Sequence, residues 1–317
     1  MTLTTRRLAV LILFVGLFAM AVRVSVGADT WWHLRAGQWM LANGRLLNTD
    51  VFSFTQAGAE WINHSWLSQL PLYLAWAVLG YAGLNLLVAL VVVATFTLVY
   101  RTCAGGEYLR AFVVILAAAA SGVYWSARPQ MASLVLAAAF ALILFRFRRA
   151  GHNRLWLLPP LMLLWVNAHG GFAIGFILLL VTLVGEGLKL FALQLGLAEA
   201  PDDLRSNGGR LDAWLEARAA RWGIRADARA AGRRVGQLAL TGLACAALVS
   251  LNPYGPRMLA YPFVTVSIGV LQDFIQEWQS PNFHLLSNQV FLWLLFATVA
   301  AIGFSRLRVD ATDFLLL

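Results

Sequence analysis

The sequence is short of charge. Only 12% of its 317 residues are Asp, Glu, Lys or Arg, about half of the roughly 25% usual for a soluble globular domain. A water-facing surface of ordinary size needs more than that, which argues for a lipid environment. Lysine is nearly missing. Lys189 is the only one, so the net charge of +9 is carried by arginine. The arginines stand in short clusters between apolar runs rather than along one basic face. That argues against a nucleic-acid partner and matches the topogenic signal of cytoplasmic loops. Cysteine is confined to Cys103 and Cys245. Both lie beside or inside apolar runs without metal-ligand spacing, so neither a disulfide framework nor a zinc site is indicated.

What fills the chain is hydrocarbon: 60% of residues are hydrophobic and the mean hydropathy is +0.72. The apolar blocks run approximately over 8–27, 66–80, 83–100, 110–125, 130–146, 154–167, 171–195, 235–251 and 288–304. A helix needs about 20 such residues to cross a hydrocarbon core. Only helices and closed barrels satisfy their backbone in lipid, and these blocks lack the two-residue alternation of barrel strands. The expected fold class is therefore all-α: a polytopic transmembrane helical bundle of about eight spans. Residues 1–317 form one transmembrane domain, with a first external loop at 28–82 carrying juxtamembrane helices, a cytoplasmic loop at 196–234 and an external loop at 252–287. The run from Leu8 to Gly27 reads as an uncleaved first span, and the Phe314-Leu315-Leu316-Leu317 ending as a further span cut short.

Orientation follows from the arginines. Placing Arg6, Arg7, the 205–234 cluster, Arg306 and Arg308 in the cytoplasm also puts Arg101, Arg110, Arg146, Arg148, Arg149 and Arg154 there. This works only if one of the blocks 66–80 and 83–100 does not cross. The block 66–80 is the better candidate: it is short, holds Gln69 and Pro71, and carries the interface-type aromatics Trp66, Tyr73 and Trp76. The remaining polar clusters then fall on the outer face.

Several of them contain candidate functional groups. Asp29 follows the first span directly, where a carboxylate can act as a base on a hydroxyl or cap the amphipathic run 30–43. Trp31 and Trp32 are interface anchors or stacking platforms for a sugar ring. His33 and His64 share that loop, and Asp50 is a turn cap or a second acid. Arg128, beside Pro129 at a span boundary, is either a snorkelling anchor or a guanidinium for a phosphate. Asn167 and His169, followed by Gly170 and Gly171, end another span; the alternatives are helix packing and phosphate binding. Arg257 ends the rigid turn Asn252-Pro253-Tyr254-Gly255-Pro256 and is placed near the headgroups. Glu277 stands beside Trp278 in an outer loop.

The ordered set Asp29-Thr30-Trp31-Trp32-His33-Leu34-Arg35, Asp50-Val51-Phe52-Ser53-Phe54-Thr55, Trp61-Ile62-Asn63-His64-Ser65-Trp66, Arg128-Pro129-Gln130, Trp165-Val166-Asn167-Ala168-His169-Gly170-Gly171 and Asn252-Pro253-Tyr254-Gly255 resembles bacterial multispan proteins related to GT-C glycosyltransferases. The resemblance implies a GT-C-like fold in the bacterial cytoplasmic (inner) membrane with its active face extracytoplasmic. It also implies sugar transfer from a polyprenyl-phosphate-linked donor to a glycan, lipid or protein acceptor. Asp29 would be the base, and Arg128, His169 and Arg257 would meet the donor phosphate. Trp31, Trp32, His33, Asp50, His64, Asn167 and Glu277 would contact sugar or acceptor. No metal ligand is assigned, no cofactor beyond the donor is implied, and dependence on a divalent metal stays open. Membrane lipids are the remaining partners. The competing functions are a non-catalytic scaffold or assembly subunit of the same fold and, third, a transporter of lipid-linked intermediates. A transporter needs polar groups deep in several spans, whereas Arg23 and Glu186 lie near block ends.

Overall fold

The computed structural model describes residues 4–23, 26–195, 226–269, 275, 279–304 and 310–316. Among them the fold is helical, and the sole strand-like pairing is an isolated bridge between Thr49 and Glu60. The helices are α1 (Thr5–Ala21), α2 (Thr30–Asn43), α3 (Trp66–Thr102), α4 (Glu107–Ser121), α5 (Gln130–Arg149), α6 (Leu158–Ala168), α7 (Ala173–Gln194), α8 (Ala226–Val249), α9 (Tyr261–Val266), α10 (Leu286–Phe304) and α11 (Ala311–Leu315). Five of them are long and apolar enough to cross a membrane: α3, α4 with the turn after it, α5, α7 with the turn before it, and α10. Their outward faces carry side chains such as Leu90, Ile177, Leu180 and Trp293, all more than half exposed. In water that surface would be an aggregation liability; in lipid it is the solvent-facing side. The chain is a helical membrane protein.

Each helix boundary has a local cause. α5 begins after Pro129, whose fixed φ suits a helix start, and ends on Arg146, Arg148 and Arg149, cations that complement the helix C-terminus. α3 is interrupted. Gly80 has φ 57° and ψ −136°, a backbone conformation open to glycine. A Cβ on Gly83 would sit 2.0 Å from the Ala75 carbonyl oxygen, although a straight helix separates such residues by about 12 Å. The chain therefore bends sharply there. The segment before the break is roughly 21 Å long and the segment after it roughly 33 Å, against a hydrocarbon core of about 30 Å. The break separates the blocks 66–80 and 83–100, which differ in composition as well.

Two cores flank α5. One gathers Leu17 of α1, Val88, Val92 and Phe96 of α3, Val114 and Ala118 of α4, Trp125, and Met131 at the start of α5. The other gathers Phe140 and Leu144 of α5, Met162 and Trp165 of α6, Phe172, Leu179 of α7, and Leu238 and Val249 of α8. α5 is thus shared between them, its start packing into the first core and its remaining turns into the second. The expected cytoplasmic stretch 196–234 is described only from Ala226 onward. Residues from Ala226 are helical, and Ala228 and Ala231 pack on Leu193 of α7; residues 196–225 lie outside the described residues.

α2 lies across the first part of α3, and Gly37 makes this possible. A Cβ there would stand 2.4 Å from the Gln69 carbonyl oxygen and 2.9 Å from Tyr73 Cβ. The absence of a side chain lets the backbones touch, which brings His33 of α2 against Gln69 of α3.

Candidate functional site

Asp29 takes the position before α2, but its backbone is already helical (φ −72°, ψ −20°) and its side chain makes no capping hydrogen bond. The capping role considered for it is therefore not the one it plays. Its Oδ2 instead lies 2.6 Å from the Arg128 guanidinium. Arg128 is aimed by the turn ahead of α5: its N–H donates to Ser126 O at 2.7 Å and its carbonyl accepts from Met131 N–H at 3.2 Å. Arg128 stands at the mouth of an apolar groove of about 190 Å³ between α3 and α5, walled by Pro71, Leu72, Val88, Val91 and Val135. The Asp29 side chain is 45% exposed and that of Arg128 23%, so the pair is open to water while Arg128 also lines the groove.

Three histidines cluster on the same side of the protein, and the Arg128 charge reaches two of them, His33 and His169. His33 is buried; Gln69 Nε2 lies 3.3 Å from its Nδ1, and the Trp32 ring lies over it at 3.7 Å between centroids. Burial, then the charges of His64, Arg128 and His169, push its pKa down to about 3. His169 is held by a short chain of hydrogen bonds. Trp165 Nε1–H donates to Ser133 Oγ at 2.7 Å, Ser133 Oγ lies 2.7 Å from His169 Nδ1, and Gly171 N–H donates to the same Nδ1 at 3.1 Å. A backbone N–H can only donate. Nδ1 is therefore an acceptor, and the proton of the neutral ring sits on Nε2. Burial first, then His64 and Arg128, push the pKa of His169 to about 3 as well. Neutral at physiological pH, His169 offers a hydrogen bond rather than a charge.

His64 lies 6.2 Å from His169 between ring centroids, and its Nδ1 is 2.7 Å from the Tyr261 hydroxyl. Its pKa is lowered by burial, with the Ile62 carbonyl acting in the opposite direction. Burial also raises that of Tyr261, so this hydroxyl keeps its proton. Both histidines and Tyr261 line a second cavity, of about 390 Å³, together with Gly170, Gly171 and Thr265.

Beneath the histidines a polar belt ties the loops together. Trp66 Nε1–H and Asn252 Nδ2–H both donate to Asn167 Oδ1, at 2.8 and 3.0 Å. Asn63 and Gln69 exchange a reciprocal amide pair at 2.8 and 2.9 Å, and the Asn63 N–H donates to the Tyr254 hydroxyl at 2.8 Å. Buried amides leave few free valences in such an arrangement, and the belt fixes loop positions. Asn167 therefore serves this belt.

The other expected site residues are engaged with partners of their own. Asp50 closes a turn, accepting from Phe52 N–H and Ser53 N–H at 2.9 Å each and from Ser53 Oγ–H at 2.6 Å. Those bonds, led by the Ser53 hydroxyl, lower its pKa. Arg257 pairs with Glu60 at 2.7 Å and covers the Tyr254 ring at 5.4 Å, rather than joining Arg128. Trp31 stands edge-on to Trp76 and Tyr81 as part of an aromatic rim. Trp32 neighbours Trp61 at 5.6 Å. Glu277 lies outside the described residues. Among the described residues no group of three His, Cys, Asp or Glu side chains is placed to hold a metal ion.

Sequence reasoning missed Ser133, Tyr261 and Thr265. A serine or threonine in an apolar helix carries no pattern of its own, and Tyr261 lies nearly two hundred positions from the histidine it touches. Gln69 had a signal, being a polar residue inside an apolar block. Among known proteins, no family model matches the chain, and no curated protein or solved structure matches it significantly.

Proposed function

We propose that this chain is a membrane glycosyltransferase of GT-C type, moving a sugar from a polyprenyl-phosphate-linked donor to an acceptor hydroxyl on the outer face of the bacterial cytoplasmic membrane. The observation that carries the reading is the partly exposed Asp29–Arg128 pair, 2.6 Å apart, whose arginine lines an apolar groove. A lipid phosphate has the chemistry for both parts, with hydrocarbon for the groove and an anion for the guanidinium.

The pair also suggests how the base becomes free. An incoming phosphate competes with Asp29 for Arg128, and the released carboxylate can then take the acceptor proton. The acceptor oxygen bonds to the anomeric carbon as its proton passes to Asp29. The bond between that carbon and the phosphate oxygen breaks, and its electron pair leaves with the phosphate. Transfer inverts the anomeric centre, and Arg128 meets the charge where it develops.

About eight crossings accompany this reading: the five long apolar helices, α1, α6 and α8. The first part of α3 then lies at the interface. Side-chain contacts agree with the alternation. Asp29, Arg128, His169 and Tyr261 share one end, whereas Arg148, Glu186, Arg234 and Asp310 share the other. The arginine clusters assign the second end to the cytoplasm.

A non-catalytic scaffold is the second reading. It is favoured by the closure of Asp29 onto Arg128, which a structural ion pair would also show. Transfer of radiolabelled sugar from polyprenyl-phosphate donors, by membranes carrying the parent or Asp29→Asn at equal expression, separates the two. Transfer by the parent that is lost in the variant supports the enzyme. Transfer unchanged in the variant removes Asp29 as base, and no transfer from any donor favours the scaffold.

A further inference from the structure

The cavity behind the histidines differs from the Arg128 groove in kind. Its polar groups are the His64 and His169 rings, the Tyr261 hydroxyl and Thr265, none of them formally charged when the histidines are neutral. Thr265 Oγ–H donates to the Tyr261 carbonyl at 2.9 Å, so its oxygen lone pairs still accept. Tyr261 and His64 lie 5.0 Å apart between centroids with planes 36° from each other, presenting aromatic surface next to these polar atoms. Gly170 keeps the space open: a Cβ there would meet His64 Cδ2 and the Tyr261 ring at 3.3 Å each. At about 390 Å³ the cavity has the size of a small-molecule site, for which roughly 300–1,000 Å³ is usual.

An anion site would present fixed positive charge. Most of the wall is apolar, with Ala173, Pro262 and Val266 beside the ring faces, and the hydroxyl, two imidazoles and threonine are a few polar groups set into it. Mixed neutral donors and acceptors beside aromatic faces suit a molecule that is itself neutral, rich in hydroxyls and bounded by C–H surfaces. We propose that this cavity is a subsite for a neutral sugar ring, with His169 donating from Nε2 to a sugar oxygen and Ser133, Trp165 and Gly171 positioning that donor. The inference rests on the sugar-transferase reading and extends it, separating a sugar pocket from the phosphate-and-lipid groove.

The test is binding, measured without turnover. The full chain in detergent micelles is examined by saturation-transfer NMR against methyl α- and β-glycosides of mannose, glucose and galactose, each alone and in competition with inorganic phosphate. At least one glycoside is expected to receive saturation and to keep it in the presence of phosphate. His169→Leu is expected to weaken that binding at least tenfold, whereas His169→Gln, which retains a donor near the Nε2 position, stays within about threefold. Val266→Trp fills the cavity from a position 56% exposed, so it tests occupancy without disturbing a core; it is expected to abolish the signal.

The absence of signal from every glycoside overturns the proposal. Displacement by phosphate overturns it in favour of an anion site, and unchanged binding in His169→Leu or Val266→Trp overturns the location. Glycoside binding in a protein that transfers no sugar would sink the transferase reading while leaving the sugar pocket standing.

Discussion

Helix α5 carries an arginine at each end, and the two are built differently. Arg148 is 4% exposed. Its guanidinium donates to both oxygens of Asp310 at 2.8 and 2.9 Å, to Asp313 at 3.0 Å and to Glu186 at 3.3 Å. Asp313 is shared with Arg149, and Arg234 stands 4.0 Å from the other oxygen of Glu186. Arg128, at the opposite end, pairs with a carboxylate nearly half exposed and borders a groove. A buried charge surrounded by partners on several segments is fixed in place, because removing any partner leaves an uncompensated ion. A half-open pair exchanges its partner at little cost. One end of the helix is fastened, and the other is available.

The comparison can be broken most decisively at the available end. Asp29→Asn is expected to lower sugar transfer by about 10²–10⁴, the usual worth of a positioned base, while unfolding in detergent shifts by less than about 1 kcal/mol. Next comes the fastened end. Arg148→Ala is expected to destabilise the fold by about 3–5 kcal/mol, seen as loss of folded yield or a lower Tm, with Arg128→Ala as the contrast. If both arginine variants lost equal stability, the outer pair would be structural and the distinction would fail.

Acid should act mainly on the outer end. His33 and His169 titrate near 3 when folded and near 6.5 when unfolded. Between those values the unfolded chain binds more protons, so stability present above pH 6.5 is lost as pH falls toward 3. The slope is at most about 1.4 kcal/mol per pH unit for each histidine. Thermal unfolding at pH 7 and pH 5 should show the loss, and His33→Gln should reduce it; an unchanged Tm would mean the rings charge without cost. Gly37→Ala is expected to cost about 1–3 kcal/mol through overpacking against Gln69, loosening α2 and with it Asp29. The smallest effect belongs to Asp50→Asn, which is expected to loosen its own turn and leave transfer within twofold.

The helices were legible because the hydrocarbon core imposes a length. The blocks 130–146, 171–195 and 288–304 fall within or against α5, the Gly170–Gln194 helix and α10. Arginine clusters and alternation of sides placed Asp29 and Arg128 on one face, but alternation carries no distance. Their contact depends on the turn at Ser126–Pro129, which no periodicity encodes. Asp50 and Arg257 looked equivalent to Asp29 and Arg128 by residue type. They differ by the company of Ser53 and Glu60, which is local for one and a matter of tertiary packing for the other. The role of His169 as a neutral donor was hidden for a similar reason. It is set by Ser133 and Trp165, an ordinary serine and an ordinary aromatic until the helices pack.

The fastening of Arg148 also has a chronology. Asp310 lies 162 residues further along the chain, and ribosomes add roughly 5–20 residues per second. For about 8–32 s after Arg148 is made, Glu186 is the sole one of its carboxylate partners that can exist, and for the first part of that interval not even Glu186 does. A growing chain therefore carries this guanidinium at the end of α5 through that interval without Asp310 and Asp313, and Glu186 is the one carboxylate among these partners that can meet it. The charge holds that helix terminus at the water boundary until the segment bearing Asp310 and Asp313 arrives to enclose it.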